Sequence, residues 1–222
     1  MSVTQTIALT MGVGWASGIN LYATICMLGI LGSTGHLVLP PNLLILQDPL
    51  VIVAAGCMYV VEFFADKVPG VDTAWDVVHT FIRIPAGAVL AAGAVGDLAP
   101  GAELAAAIAG GTLAAGAHAT KAGSRALINT SPEPFTNWTA SILEDVAVIG
   151  GLWAALQHPV LFVIALVIFF ALALWLLPKL WRGLKGVFAF VRRKLGGAPA
   201  PAVAAGPPTA GSGDDDPSVE AS

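Results

Sequence analysis

Residues 160–178 read VLFVIALVIFFALALWLLP, a run without one charged or amide side chain. An α-helix needs about 20 mostly apolar residues to cross the hydrocarbon of a bilayer, and this stretch supplies them with nothing polar to satisfy. The rest of the chain shares the bias. Of its 222 residues 56% are apolar and 11% charged, against about 45–50% and 25% in soluble domains. The mean hydropathy is +0.81. A 22.6 kDa globule cannot hide that much apolar material, because surface falls too slowly with size. The composition argues against a soluble enzyme, a disordered protein and a nucleic-acid binder. It leaves an all-α polytopic membrane helix bundle over residues 1–178.

Upstream of that run, five further segments reach comparable length: about 5–31, 49–66, 74–96, 101–124 and 138–157. Ser33-Thr34-Gly35-His36 and Pro40-Pro41 end the first, and Lys67-Val68-Pro69-Gly70 the second. Gly96-Asp97-Leu98-Ala99-Pro100-Gly101 turns the chain after the third, Ser131-Pro132-Glu133-Pro134 ends the fourth, and His158-Pro159 divides the last two. About six transmembrane helices are expected, with the second and fifth short and polar enough to be re-entrant. The N-terminal residues lack a basic stretch and a cleavage site, so they read as the first helix and not as a signal peptide. Cys26 and Cys57 sit in apolar runs as small hydrophobes.

Lys and Arg bias sets orientation. With both termini cytoplasmic, Lys67, Lys121, Arg125 and the bases from Lys179 to Lys194 lie inside, whereas loops 32–48, 97–100 and 158–159 contain none. The expected location is the cell inner membrane, multi-pass. Residues 179–197 follow as a basic amphipathic juxtamembrane helix. Leu180, Trp181, Leu184, Val187, Phe188 and Val191 recur at helical spacing there, and residues 179–194 suit the anionic lipids of the inner leaflet. Residues 198–222 are Ala/Pro-rich with an acidic end (Asp214, Asp215, Asp216, Glu220) and are expected to be disordered.

A charge at the centre of a bilayer costs about 2.5–3.5 kcal/mol on insertion scales, so the ionisable residues kept within spans are the informative ones. In the first segment Ser17, Asn20 and Thr24 share a face beside the Gly14/Gly18 step, which suits close helix packing. In the second, Glu62 and Asp66 stand one turn apart. The third carries Asp72, Asp76, His79 and Arg83 at steps of four, three and four, with Asp72 as a plausible N-cap and Pro85 as a kink. In the fourth, His118 lies deep, while Lys121 and Arg125 are placed to snorkel to the inner surface. In the fifth, Glu144 is the better candidate to face the bundle, because its neighbour Asp145 diverges by about 100°.

Gly12–Asn20 aligns weakly with Gly110–His118, and Val61-Glu62 with Leu143-Glu144. This pattern fits two inverted three-helix repeats, a transporter architecture.

Three pieces carry a family resemblance: GVGWASGINLYA at 12–23, VEFFADKVPGVDTAWD at 61–76 and GDLAP at 96–100, together with the Gly/Ala-rich fourth helix. Over about residues 5–170 the chain resembles the polytopic membrane proteins of domain-of-unknown-function family 4126. The resemblance implies a membrane bundle and no particular activity. The basic stripe Lys121–Arg125, the stretch 126–137 and the basic helix with its tail depart from it.

The expected function is a small transporter or channel-like permease with an ionisable intramembrane site. Asn20, Glu62, Asp66, Asp72, Asp76, His79, Arg83, His118 and Glu144 would bind an unknown small solute or ion. The alternative is a membrane scaffold or lipid-handling accessory without transport. An enzyme is less favoured: no HExxH, phosphate loop or partnered nucleophile is visible, and no catalytic residue, metal site or cofactor is assigned. The lipid bilayer is the expected partner, nucleic acid is not, and a homo-oligomer is compatible with the pattern. Asn129 and Asn137 match the glycosylation motif but fall on the expected inner side.

Overall fold

The computed structural model describes residues 2–68, 70–96, 99–129 and 134–195. Its helices are α1 (Val3–Ile19), α2 (Leu21–Ser33), a short 3-10 helix (Pro41–Gln47), α3 (Pro49–Ala65), α4 (Val71–Val95), α5 (Pro100–Ile128), α6 (Pro134–Gln157) and α7 (Pro159–Leu195). Local chemistry sets many of the starts. A reciprocal cap between Ser2 and Gln5 opens α1. Proline opens α3, α5, α6 and α7, where its missing N–H costs nothing. The Asp48 carboxylate accepts from the Leu50 N–H at 2.7 Å to cap α3. Gly70, at φ 87°, makes the turn into α4 in a conformation that side chains resist.

The main departure from expectation is at Asn20. Its backbone is extended (φ −145°, ψ 98°), so α1 stops, and its own Oδ1 accepts from the Ala23 N–H at 2.9 Å to start α2. Residues 5–31 are therefore two helices, which corrects the single first span. The cause is the preference of Asn for the cap over the helix interior. Gln5, His36, Leu37, Val38, Leu156 and Gln157 line one cavity of about 330 Å³, so the chain after α2 is back beside the start of α1. The two helices form a hairpin with its elbow inside the bundle.

By length and composition α4, α6 and α7 as far as Lys179 are able to cross a membrane. The 3-10 helix with α3, bent by 69°, would make a fourth span. The expected bundle of helices is present, while the count of six spans is not what these helices give. Residues 179–195 are the last turns of α7, which runs on through Pro178; at 1.5 Å per residue α7 is about 55 Å long. Their expected separate helix is thus continuous with the last span. The expected disordered stretch 198–222 lies outside the described residues.

Small residues bring α1, α4 and α5 together. A Cβ on Gly14 would lie 2.7 Å from Gly110 Cα, and one on Gly18 would strike the Ala114 carbonyl. Gly87 meets Ala114, and Gly110 meets Ala91. These registers make α4 antiparallel to α5, and α1 parallel to α5. The segments aligned as openings of two inverted repeats run the same way, so that repeat does not describe the fold.

The exterior is apolar: Phe81 is 80% exposed, Leu174 71% and Val89 70%. The interior holds Glu62 and Arg83 at 0%. Apolar helices outside and charges inside are compatible with a membrane protein.

Candidate functional site

The buried charges meet at the end of the bundle opposite the start of α1. The last turn of α3 supplies Glu62 and its C-cap Asp66, α4 supplies Asp76 and Arg83, α5 supplies Lys121 and Arg125, and α6 supplies Glu144. Arg83 Nη2 donates to Glu62 Oε1 at 2.5 Å, and its Nη1 to Asp76 Oδ1 at 3.0 Å. Lys121 Nζ reaches Asp66 at 2.9 Å, Glu62 at 3.4 Å, Glu144 at 3.5 Å and Asp76 at 3.9 Å. Arg125 grips Glu144 with two bonds, 2.8 and 3.1 Å, and lies 3.6 Å from Asp66. Desolvating each ion costs several kcal/mol, and only such multiple pairing offsets it.

The helix break joins this network. Lys121 Nζ donates to the Ile19 carbonyl at 3.2 Å, where the C-terminal end of α1 favours a cation. Asn20 Nδ2 donates to Asp145 Oδ1 at 3.1 Å. His118 Nδ1 faces Arg83 Nη1 at 3.2 Å, and its Nε2 lies 2.7 Å from Thr80 Oγ1. Thr80 donates its own proton to the Asp76 carbonyl, so the imidazole that satisfies all three contacts is neutral with hydrogen on Nε2.

Four carboxyl groups face three basic side chains here, so the acids outnumber the bases by one among the described residues. Glu62 Oε2, Asp66 Oδ1 and Asp76 Oδ2 are buried with no hydrogen-bond partner among the described residues. Chemically, such a site can accept a proton or small cation, or exchange partners among its ion pairs. Among the described residues no three His, Cys, Asp or Glu side chains are grouped to hold a metal ion.

The model of one family covers the elbow at Asn20 and every charge of this network. The chain belongs to the family described as Domain of unknown function (DUF4126), matched over residues 7–179. No curated protein and no solved structure matches the chain. The DUF4126 match ends at Lys179, where the charged final turns of α7 begin.

Of the nine expected site residues, Asn20, Glu62, Asp66, Asp76, Arg83, His118 and Glu144 converge within this DUF4126 network. His79 stands beside it. It stacks on Trp75 with ring centroids 4.3 Å apart, donates from Nδ1 to the Trp75 carbonyl, and receives the Tyr22 hydroxyl at 3.1 Å. Asp72 lies apart. Its Oδ1 accepts from the N–H groups of Gly70 and Thr73, and Asn129 Nδ2 holds both its oxygens at 2.8 Å. The N-cap of α4 is Gly70, so Asp72 anchors the turn and does not cap it.

Sequence reasoning missed several members. Lys121 and Arg125 point inward, 4% and 1% exposed, and do not snorkel; the three-then-four spacing from His118 was the available signal. Asp145 faces inward as well as Glu144, each with its own partner. Asn137 and Asn129, noted only as glycosylation motifs, link Arg125 to Asp72: Arg125 donates to the Asn137 carbonyl at 3.1 Å, and Asn137 Nδ2 to Asn129 Oδ1 at 2.7 Å. Lys67, in the loop after α3, sits over the Phe63 ring and donates to the Phe63 carbonyl, and burial pushes its ammonium below the usual lysine range.

Proposed function

We propose that this protein is a small transporter or channel-like permease of the cell inner membrane, working through its buried charge network. The observation that carries the reading is the helix break at Asn20, inserted against that network through Ile19 and Asn20. Interrupted helices whose ends face buried ionisable groups are how transporters build a substrate or ion path inside lipid. Glu62, Asp66, Asp76 and Glu144 are the acidic side of the path, and Arg83 and Lys121 the counter-charges that release them. The basic end of the bundle is cytoplasmic by its Lys and Arg excess, with residues 179–194 against anionic lipid. Since α1 and α2 double back, the N-terminus then lies on the opposite side. The proposed arrangement differs in this from the expected one with both termini inside.

Purified protein in vesicles carrying pH-, alkali-ion- or divalent-ion-sensitive dyes tests the proposal. The expected result is flux above protein-free vesicles for one of these ions, reduced at least tenfold by Glu62→Gln and Asp76→Asn. Absence of flux for all of them, with both variants unchanged from wild type, contradicts it.

The density of pairing favours a second reading, a scaffold in which the network only locks helices. Deleting residues 179–222 separates the two: a permease keeps its flux, whereas a scaffold loses recruitment at the inner leaflet.

A further inference from the structure

Asp145 stands apart from the network that it adjoins. α6 turns Glu144 to Arg125 and Lys121, and the next residue to the elbow between α1 and α2. There Asn20 Nδ2 donates to Asp145 Oδ1 at 3.1 Å, and the Tyr59 side chain of α3 lies against the same carboxylate. Asp145 is 9% exposed, and its Oδ2 has no hydrogen-bond partner among the described residues. Glu62, Asp66, Asp76 and Glu144 each hold a cation. Among the described residues no basic nitrogen pairs with Asp145 within 4.0 Å. Lys67 and Lys121 act on it from further away, and Asp66 opposes them.

A carboxylate buried among neutral donors carries an uncompensated desolvation cost, which a bound cation removes. The break in the helix is where such an ion is met in membrane carriers, because half-helix ends bring backbone polar groups to mid-depth. An apolar cavity of about 250 Å³, lined by Ala23, Cys26, Met27, Tyr59 and Ile149 among others, adjoins the elbow through Ala23 and Tyr59. We propose that Asp145, with Asn20 and Tyr59, binds a monovalent cation, a proton or an alkali ion, at the elbow of the α1–α2 hairpin. The ion's role as the coupled or carried species rests on the transport reading, and its binding rests on the geometry alone.

The test uses the full chain in lipid nanodiscs and reads binding without flux. One arm follows the thermal midpoint as sodium replaces choline at constant ionic strength. The other follows the infrared band of a protonated carboxyl at neutral pH. A sodium-dependent rise identifies an alkali ion, and the carboxyl band identifies a proton. Either signal should vanish in Asp145→Asn, persist in Asp145→Glu, and survive in the control Glu103→Gln. Tyr59→Phe, which removes one hydroxyl oxygen and one donor to the carboxylate, should weaken the sodium-dependent rise severalfold but preserve or strengthen the carboxyl band, and this decides the matter should Asp145→Asn not fold; no change in either signal counts against the site. Neither signal in wild type, or a signal indifferent to these variants, overturns the site. A signal without flux keeps the site and sinks the transport reading; flux with no Asp145-dependent signal does the reverse.

Discussion

Around Gly14, Gly87 and Gly110, helices α1, α4 and α5 approach so closely that nothing larger than an alanine methyl stands between them. Further along, the same helices are joined through polar side chains, Lys121 to Asp76 and to the Ile19 carbonyl, and His118 to Arg83 and Thr80. The first contact is fixed by shape and tolerates no added atom. The second is fixed by charge and has alternatives, since each cation touches more than one carboxylate. A bundle built this way has one end fixed by shape and one end held by shared ion pairs, and the proposed path relies on the second.

Removing a charge from the second region should do the most damage. Arg83→Ala takes the nearest cation from Glu62 and Asp76 and leaves them Lys121 at 3.4 and 3.9 Å, and one partner lost from a buried pair costs about 3–5 kcal/mol; unfolding in mixed micelles should show it. Adding Glu62→Gln to the Arg83 variant should recover part of the loss, because it removes a charge that has lost its nearest cation. Recovery of nothing would mean that the two do not interact. Next in size is Gly18→Val, which drives a branched side chain into the Ala114 carbonyl. Overpacking of that kind costs about 1–3 kcal/mol, and the same unfolding assay should find it without change in ion dependence. Smaller still is Asn129→Ala. Asp72 keeps its bonds from Gly70 and Thr73, so the expected loss is about 1 kcal/mol. Equal effects from all three would erase the distinction between the two regions.

Much of the shape-fixed region was legible in the sequence. The Gly14/Gly18 step announces close packing, and the run 160–178 announces a helix in lipid. The stripe on α4 also read correctly, because Asp72, Asp76, His79 and Arg83 all turn inward, at 3% exposure or less. The charge-fixed region was legible only in part. Lys121 and Arg125 have the spacing of snorkelling residues, and spacing alone cannot say whether a long side chain reaches outward to water or inward to a carboxylate. The break at Asn20 was hidden for a related reason: an Asn in an apolar run serves equally as a mid-helix polar group or as a cap. Only the positions of Ala23 and Asp145 in space decide between them.

The hairpin is where these arguments meet, and labelling from one side of the membrane tests it most directly. In a background with Cys26 and Cys57 replaced by alanine, single cysteines at Gln5, His36 and Arg182 would be exposed to a membrane-impermeant maleimide in sealed vesicles of known orientation. Positions 5 and 36 should react from one side and position 182 from the other. Reaction of position 5 together with position 182, opposite to 36, would mean that residues 5–31 cross the membrane once, and would contradict the hairpin.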